Sequence, residues 1–291
     1  MKIPTVSIIV LSFNTHLLLK NCLKSISDSS SRLSYEVIVV DNHSQDGSVG
    51  MVRSRFPAVE LIVNRKNLGF SHGNNQGIKK ARGQFILLLN SDTIVHKDAI
   101  SRMADFLTKH KRVGAIGCRL VNIDGSNQAS AGSFPNLWIS AIMLFKEHFL
   151  SSNNVRGSFD EIRKVDWVMG AAIMIKRKVF EKVGLMDENI FMYMEEVELC
   201  YRIKKAGYEV IYYPDTKITH LGQGSSQTGR KEPILNIYKG LLYFYKKHYS
   251  RVEVEILRLM LKTKALSALL LSFFTQDRYL RETYGQAFKI S

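Results

Sequence analysis

The chain has 291 residues, and 45% of them are hydrophobic, so it can bury a sizeable core and disorder is excluded as its default state. Its three cysteines are scattered and lack metal-ligand spacing, which excludes a disulfide framework and a structural zinc site and favours a reducing compartment such as the cytosol. The formal net charge of +15 implies an anionic partner, which is nucleic acid, a phosphorylated substrate or an acidic membrane surface.

The first half of the chain alternates short apolar runs with amphipathic segments. The predicted strands are Val6–Leu11, Tyr35–Val40, Val59–Val63, Phe85–Leu89 and Val113–Cys118. The predicted helices are Leu17–Ile26, a segment through Val52, Ile78–Ala81 and Lys97–His110. The first run passes into Ser12 without a small-residue cleavage site, so we interpret it as a strand and not as a signal peptide. The alternation predicts right-handed βαβ units, a parallel sheet and an α/β fold of the nucleotide-binding type.

Two of the predicted strands end in carboxylates. The five apolar residues Phe85–Leu89 indicate a strand buried on both faces, and Asn90-Ser91-Asp92 follows it. Asp41 follows Tyr35–Val40 in the same way. Because open parallel sheets bind ligands beyond the carboxyl ends of their strands, Asp92 is a candidate ligand for a divalent metal or a polar group. The alternative is that Asp92 caps the next helix and Asp41 caps a turn.

The segment Asn67–Gly77 is rich in glycine and small polar residues. We expect it to be a loop whose backbone approaches a ligand closely. Its spacing matches neither the P-loop nor the G-x-G-x-x-G fingerprint, which excludes an ordinary NTPase and a dinucleotide-dependent dehydrogenase.

The second half of the chain is more irregular. A polar excursion is predicted at Arg119–Ser133, followed by a helix at Asn136–Leu150 and a loop at Ser151–Ser158. Next come a strand with small central residues at Val165–Ile175 and a short helix, ended by Gly184, at Lys178–Val183. Another strand is predicted at Tyr208–Tyr213 and a flexible loop at Leu221–Ser226.

A group of carboxylates lies between the predicted short helix Lys178–Val183 and the predicted strand Tyr208–Tyr213. Glu195, Glu196 and Glu198 are predicted to lie in the first turn of a helix, where the helix dipole favours them, with Arg202 four residues after Glu198. Three carboxylates beside aromatic residues form a candidate catalytic cluster. The alternative is an ordinary solvated helix start.

The C-terminal tail is helical by its periodicity from Ile234 to Phe288. The last 62 residues hold 12 Lys and Arg against 5 Asp and Glu, so about half of the net positive charge lies there. The longest uncharged run, Ala265–Gln276, is too short to span a bilayer, and we expect these helices to lie in the membrane interface. The alternative is that they pack on the catalytic domain or on a second subunit.

Seven motifs occur in one order over roughly residues 5–250. They are Val6–Val10 with Asn14, Val40–Ser48, Asn67–Phe70, Leu89–Asp92, Trp167–Ala171, Glu195–Leu199 and His220. Together they resemble the family 2 inverting glycosyltransferases, and within that family the bacterial rhamnosyltransferase-type branch.

The resemblance implies a GT-A fold, in which a Rossmann-like, mostly parallel central sheet is flanked by helices. A catalytic domain is expected at residues 1–232, with a nucleotide-binding half at about 1–118 and an acceptor half at about 119–232. A basic, amphipathic helical tail is expected at 233–291.

The implied activity is transfer of a sugar from a nucleotide-diphosphate donor to a hydroxyl group, with Mg²⁺ or Mn²⁺ stabilising the leaving diphosphate. The expected donor is dTDP-rhamnose, and the expected acceptor is a growing, lipid-linked cell-surface polysaccharide. The expected location is cytoplasmic, peripheral on the inner face of the cytoplasmic membrane, with the C-terminal helices on the membrane surface. The sequence leaves open whether the protein forms a homodimer.

The resemblance also implies roles for individual residues. Glu196 is expected to be the general base, with Glu195 as the other candidate. Asp92 and His220 are expected to hold the metal, and Asp166 and Trp167 to lie on the acceptor side, although Trp167 also suits a core position. The expected donor-binding residues are Ser12, Phe13, Asn14, Asp41, Asn42, Asn67, Gly69, Asn75, Asn90, Ser91 and Asp92.

The chain departs from the family pattern at two positions. Asn90 replaces the first acidic residue of the metal motif, and Glu196 stands where the family has Asp. These departures suggest the alternative of a catalytically impaired sugar-nucleotide-binding protein. Nucleic-acid binding through the tail is ranked last, and no nucleic-acid partner is expected, because the tail has no interleaved aromatic and basic platform.

Overall fold

A computed structural model of the chain describes residues 3–29, 33–145, 155–222 and 231–291. The strands in these ranges are β1 Val6–Ser12, β2 Tyr35–Asp41, β3 Glu60–Val63, β4 Phe85–Asn90, β5 Thr93–Val95, β6 Val113–Val121, β7 Ala131–Gly132, β8 Arg156–Gly157, β9 Arg163–Val165, β10 Trp167–Val168, β11 Ala172–Lys176 and β12 Glu209–His220. The helices are α1 His16–Ser29, α2 Ser48–Arg55, α3 Phe70–Lys80, α4 Ala99–Lys109, α5 Leu137–Phe145, α6 Arg177–Val183, α7 Glu195–Lys205, α8 Lys231–His248, α9 Arg251–Thr275 and α10 Arg278–Ile290.

The central sheet has nine strands within the described ranges. Its order is β3-β2-β1-β4-β11-β6-β12-β5, and β9 pairs at the side with β12. The four N-terminal strands of this path are parallel, whereas β11 runs antiparallel between β4 and β6. A separate sheet of three short strands has the order β10-β7-β8. The predicted α/β class is confirmed.

The core lies on both faces of this sheet because apolar side chains alternate along its buried strands. In β4, Phe85, Leu87 and Leu89 pack into one cluster with α1 and α4, while Ile86 and Leu88 pack into the cluster on the opposite face. The prediction that Phe85–Leu89 is buried on both faces is confirmed.

The strand register brings the polar strand ends together. Ser12 of β1 pairs with Asp41 of β2, and Leu11 pairs with Asn90 of β4. At the far side of the sheet, the antiparallel pairing of β12 with β5 sets His220 opposite Thr93. The carboxyl edge of the parallel strands and the end of β12 therefore meet beside Asp92.

The predicted loop at Asn67–Gly77 is wrong over most of its length, because α3 begins at Phe70. Its glycines pack the helix against the sheet: a Cβ at Gly73 would lie 2.4 Å from Leu11 Cδ1, and one at Gly77 would lie 2.5 Å from Ile9 Cγ2. These two glycines permit close helix–sheet packing and not a close approach to a ligand.

The predicted strand at Val165–Ile175 is also wrong, since β9, β10 and β11 divide it. The strand predicted at Tyr208–Tyr213 continues past a β-bulge to His220 as part of β12.

Several predicted segments extend beyond the described residues. These are residues 146–150 of the predicted helix Asn136–Leu150, residues 151–154 of the predicted loop Ser151–Ser158, and residues 223–226 of the predicted loop Leu221–Ser226. The described part of Ser151–Ser158 includes the short strand β8.

The predicted helical tail is confirmed as α8, α9 and α10, which share an apolar cluster with each other and with Val197 of α7. The predicted boundary between residues 232 and 233 falls inside the first turn of α8, and the division into domains stays a prediction. Among the described residues, no helix has both the length and the hydropathy needed to cross a membrane.

Candidate active site

A cavity of about 340 Å³ opens at the carboxyl edge of the sheet, a volume in the range of small-molecule sites. Eight of the predicted donor-binding residues line it: Phe13, Asn14, Asn42, Asn67, Gly69, Asn90, Ser91 and Asp92. The structure thus brings together residues that are up to 79 positions apart in the chain, from Phe13 to Asp92.

The sequence analysis missed two parts of the cavity wall. One is the segment Phe191–Tyr193 before α7, and the other is the first turns of α8, which contribute Glu232, Pro233 and Asn236. A signal for the first part was present, because aromatic and apolar residues directly precede the carboxylate cluster. Nothing in the local pattern of α8 distinguished it from the rest of the tail.

Three predicted donor-binding residues do not line this cavity. Asn75 is buried, and its amide donates to the Met186 carbonyl (2.8 Å) and to Glu188 Oε1 (2.9 Å), so it joins α3 to the segment after α6. Ser12 hydrogen-bonds Thr15 at the back of the cavity wall (3.0 Å). Asp41 is the third.

Asp41 lies at the end of β2, beside the cavity-lining Asn42. The Ser44 N–H donates to Asp41 Oδ1 (2.8 Å), while Oδ2 is buried and has no hydrogen-bond partner in the described structure. A buried carboxylate oxygen without a partner is costly, so this atom has an acceptor site left for a donor group on a ligand.

A chain of side-chain amides fixes the cavity wall beside Asp41. Asn42 Nδ2 donates to the Gly69 carbonyl (3.0 Å), and the Gly69 N–H donates to Asn67 Oδ1 (2.9 Å). Gly69 has a φ of +83°, and a Cβ there would lie 2.6 Å from the Phe191 carbonyl oxygen. Glycine is therefore required at this position by both conformation and space.

Asp92 lines the cavity at the end of β4, and His220, which is not among the lining residues, lies behind it. His220 Nε2 lies 3.5 Å from Asp92 Oδ1 and 3.5 Å from Asn90 Nδ2. Both side chains are largely buried, and the Leu221 N–H donates to the Asp92 carbonyl (2.9 Å), which holds the chain after β12 against Asp92.

Gln128, which the sequence analysis missed, sets the tautomer of His220. Gln128 Nε2 donates to the His220 carbonyl (2.6 Å), which directs Gln128 Oε1 toward His220 Nδ1 (3.0 Å). Because an amide oxygen only accepts, Nδ1 carries the proton and donates it. In the neutral ring, Nε2 then presents its lone pair to Asp92.

This arrangement fits a divalent cation. A carboxylate oxygen and an imidazole lone pair converge, and the second ring nitrogen is oriented by an amide, as is usual for metal-binding histidines. Asp92 and His220 are only two ligands, and the described residues contain no group of three His, Cys, Asp or Glu side chains that could hold a metal alone.

Glu195 and Glu196 form a pair at the start of α7. Each has a buried Oε2 atom without a hydrogen-bond partner in the described part of the chain. Burial, and next the charge of Glu196, raise the pKa of Glu195 well above its ordinary value. Burial also raises the pKa of Glu196, although backbone N–H groups and the charge of Arg156 oppose the change.

The backbone that leads into this pair has an uncommon conformation. Tyr193 and Met194 have φ values of 66° and 77°, which side chains other than glycine seldom adopt. Consecutive residues in the left-handed region persist only where the surrounding structure imposes that conformation. Here they connect the cavity-lining segment Phe191–Tyr193 to α7, the helix that carries the carboxylates.

Glu196 is adjacent to the cavity but does not line it. A Cβ at Gly170 would lie 3.5 Å from the ring of Phe70, a cavity residue, and 3.6 Å from Glu196 Cβ. Gly170 thus lies between Phe70 and Glu196, and a methyl group at this position would be in ordinary van der Waals contact with both.

Glu198 has a different environment from the other two carboxylates of the cluster. Its side chain is fully buried, and it accepts hydrogen bonds from Arg202 Nε (2.9 Å), Lys247 Nζ (2.7 Å) and His248 Nε2 (3.1 Å). Burial alone would raise the pKa of Glu198, but Arg202 and Lys247 hold it below the ordinary value. This carboxylate joins α7 to α8 and has no capacity left for a substrate proton.

Asp166 and Trp167 do not line the main cavity. Asp166 accepts from the Phe134 N–H (2.8 Å) and forms an ion pair with Lys204. Trp167 is half-buried against two core clusters, and its Nε1–H donates to the Ser133 carbonyl (3.0 Å). Their contacts are those of residues that fix the small sheet β10-β7-β8.

The model for "Glycosyl transferase family 2" matches residues 7–184, which is more than half of the chain. The chain belongs to glycosyl transferase family 2. The resemblance drawn from the sequence motifs is therefore confirmed, and this protein is a glycosyltransferase.

Two of the curated proteins that are similar to this chain are named rhamnosyltransferases. An N-acetylglucosaminyl-diphospho-decaprenol L-rhamnosyltransferase from Mycobacterium tuberculosis is 28% identical over 229 residues, covering 73% of this chain and 74% of the relative. The rhamnosyltransferase WbbL from Escherichia coli K12 is 24% identical over 223 residues, covering 74% of this chain and 83% of the relative.

Solved structures agree with this glycosyltransferase on the fold. A mannosyltransferase from Pyrobaculum calidifontis, in complex with GDP-Man and Mn²⁺, has a TM-score of 0.60 at 17% identity over 100% of this chain and 86% of its own. GalNAc-T7 with UDP, GalNAc and Mn²⁺ has a TM-score of 0.61 at 16% identity over 84% of this chain and 50% of its own. The predicted GT-A fold is confirmed by these matches.

Proposed function

We propose that this glycosyltransferase is an inverting, metal-dependent enzyme that transfers rhamnose from dTDP-rhamnose to a hydroxyl of a lipid-linked glycan. The observation that carries the proposal is the approach of His220 Nε2 to within 3.5 Å of Oδ1 of the cavity-lining Asp92. The names of the two rhamnosyltransferase relatives support the choice of sugar and of a lipid-linked acceptor.

The donor nucleotide is assigned to the half of the cavity between Phe13 and Gly69. The unpartnered Oδ2 of Asp41 would accept a hydrogen bond from the base or the ribose, and the Asn42–Gly69 bridge fixes the adjoining wall. The diphosphate would then lie toward Asp92, at the end of β4.

Asp92 and His220 would hold Mg²⁺ or Mn²⁺, with Gln128 orienting the histidine. Such a cation supplies charge neutralisation for the leaving diphosphate. Since the described residues provide two ligands, diphosphate oxygens and water would have to complete the coordination, as is common for Mg²⁺ bound by one or two carboxylates and a substrate phosphate.

Glu196 is assigned as the general base. Glu195 has the more strongly raised pKa and would keep its proton, which leaves Glu196 to ionise beside Arg156. The acceptor oxygen bonds to the anomeric carbon as the bond from that carbon to the diphosphate oxygen breaks. The electron pair leaves with the diphosphate, and the acceptor proton passes to Glu196.

The enzyme is proposed to work at the inner face of the cytoplasmic membrane, because that is where a cytoplasmic enzyme would meet a lipid-linked acceptor. Its C-terminal helices are the proposed membrane contact. The high positive charge of the chain supports an anionic surface as its partner.

The test is a transfer assay with a panel of nucleotide sugars that includes dTDP-rhamnose, and an N-acetylglucosaminyl-diphospho-polyprenol acceptor. We expect Mn²⁺- or Mg²⁺-dependent release of dTDP from dTDP-rhamnose, abolished by a chelator. Release that a chelator leaves unchanged would overturn the metal assignment, and release from another donor alone would overturn the sugar assignment.

Matched aspartate variants locate the metal. Asp92→Asn is expected to reduce transfer by about 10² or more, because it removes the anionic metal ligand, whereas Asp105→Asn on the exposed face of α4 serves as the control. Donor binding without transfer by the unmodified chain, in the presence of the acceptor, would favour the alternative of an impaired sugar-nucleotide-binding protein.

A further inference from the structure

Two neighbouring helices expose large apolar side chains outside the active site. In the C-terminal half of α9, these are Leu266, Leu270, Leu271, Phe273 and Phe274, and in α5, which packs against α9, they are Trp138 and Phe145. We call these seven side chains the apolar face. Phe273, Phe274 and Trp138 are 74%, 81% and 70% exposed, so they contribute little to the folded core.

The opposite face of α9 shows what this helix needs for folding. Val254, Leu257, Leu261 and Ala265 are buried in the cluster that α9 shares with α8 and α10. The helix is therefore fully anchored without the apolar face. Exposed apolar residues that are grouped, and not scattered singly, mark an interaction surface.

The apolar face is broader than the contact stripe between two packed helices, which favours contact with an extended surface. At 100° per residue, the five residues of α9 cover an arc of about 160°. A two-stranded coiled coil uses a narrower stripe of two positions per heptad. The neighbouring helix α5 adds the exposed residues Trp138 and Phe145, which are seven positions apart.

The charges within the part of α9 that carries the apolar face are of one sign. From Ile256 to Gln276 the chain has no Asp or Glu, while Arg258, Lys262 and Lys264 lie in the same stretch. Within the described residues, Lys262 and Lys264 form no salt bridge, and Arg281 of the following helix forms none either. These cations remain available to anionic groups beside the apolar face.

We infer that the apolar face is a membrane-binding surface that inserts into the interface of an anionic bilayer. The combination of exposed Phe, Leu and Trp side chains with flanking Lys and Arg is that of a helix lying in the headgroup region. The inference rests on the proposed function, since it gives the partner that would bring the enzyme to a lipid-linked acceptor.

The experiment measures co-sedimentation of the full chain with vesicles of phosphatidylcholine alone and of phosphatidylcholine mixed with phosphatidylglycerol. Phe273→Ser combined with Phe274→Ser is expected to reduce vesicle partitioning about tenfold or more, because it removes two inserted rings. The control is Ile123→Ser, which changes an 83% exposed apolar residue outside the apolar face.

A second pair of variants tests the cations. Lys262→Gln combined with Lys264→Gln is expected to weaken binding to the anionic vesicles about fivefold per charge at low salt, and to leave binding to phosphatidylcholine nearly unchanged. The control is Lys79→Gln combined with Lys80→Gln, which removes two exposed charges from α3.

Three results would overturn the inference. The first is absence of vesicle binding, and the second is equal binding by the Phe273/Phe274 variant and the control. The third is a combined result: the unmodified chain is a dimer in sedimentation analysis, the Phe273/Phe274 variant is a monomer, and neither binds vesicles. That result would assign the apolar face to a contact with a second copy of the chain.

Transfer to a water-soluble acceptor separates this inference from the proposed function. The Phe273/Phe274 variant should retain that activity, because neither residue lines the active-site cavity. Retained transfer without vesicle binding by the unmodified chain would overturn the membrane surface alone. Vesicle binding as expected, with no transfer from any donor, would overturn the proposed function alone.

Discussion

The first turn of α7 places three carboxylates in two contrasting environments. Glu195 and Glu196 each keep a buried oxygen without a partner in the described structure, and their pKa values are raised, with burial as the main cause. Glu198, fully buried on the same turn, accepts hydrogen bonds from three basic side chains, and its pKa is lowered.

The difference shows that position in a helix does not decide what a carboxylate does. A buried carboxylate that keeps an oxygen without a hydrogen-bond partner in the described structure, and whose pKa is raised, can still bind a proton or a ligand, which suits acid–base chemistry. A carboxylate whose oxygens all accept hydrogen bonds from basic side chains stabilises the packing of the helices that carry them. The contrast therefore supports the proposed acid–base role of the Glu195–Glu196 pair, while Glu198 joins α7 to α8.

The largest expected effect comes from removing the proposed base. Glu196→Gln should reduce transfer about 10² to 10⁴-fold and leave donor binding within about twofold, because an amide keeps the shape but cannot take a proton. Single-turnover kinetics and nucleotide-sugar titration measure the two quantities.

The matched control for this variant is Glu181→Gln, an exposed change on α6. Unchanged transfer by Glu196→Gln would break the comparison and move the role of base to Glu195 or elsewhere.

Glu198→Ala should act on stability. The free energy of unfolding is expected to fall by about 3 kcal/mol at pH 7, because Arg202, Lys247 and His248 lose a shared buried acceptor. Urea unfolding followed by circular dichroism measures the change, with the exposed Glu161→Ala as control. A loss below about 0.5 kcal/mol would contradict the architectural role.

Gln128→Leu tests the proposed metal ligands Asp92 and His220, because Gln128 orients the His220 ring. Mn²⁺ affinity in the presence of dTDP is expected to fall about 10 to 100-fold, because His220 loses the acceptor that fixes its tautomer. Calorimetric titration measures it, and the exposed Gln84→Leu is the matched control. Equal Mn²⁺ affinity in both variants would remove Gln128 from the site.

The smallest expected effect is a pH-dependent change from Glu195→Gln. Because the folded pKa of Glu195 is raised, the unfolded chain releases this proton first, and the stability that the neutral acid contributes is lost as pH rises above the ordinary value of about 4.3. The variant keeps a neutral group at every pH.

We therefore expect Glu195→Gln to raise the melting temperature by roughly 2–4 °C at pH 8 relative to the unmodified chain, with a smaller difference at pH 4.5. Thermal scans at several pH values measure it. A difference of the same size at every pH would show that Glu195 does not carry the raised pKa.

Local pattern was enough to predict much of the N-terminal half. The apolar runs of β1, β2 and β4 were visible because each is continuous and ends in polar residues, and parallel pairing then requires those ends to share one edge. That Phe13, Asn42 and Asp92 line one cavity follows from this rule.

The sequence by itself also determined that Glu195, Glu196 and Glu198 begin a helix and that the tail is helical, because both are properties of short-range order. It did not separate the three carboxylates. Their pKa values depend on which distant groups reach them, and Lys247 and His248 come from a helix about 50 residues later in the chain.

Only the tertiary structure decided the remaining features of the site. The β5–β12 register sets His220 beside Asp92, and Gln128 reaches His220 from the excursion after β6. The glycines of α3 proved to be packing residues because Ile9 and Leu11 of β1 lie against them. Each of these outcomes depends on contacts between segments far apart in the chain, and such contacts leave no mark on the local spacing of residues.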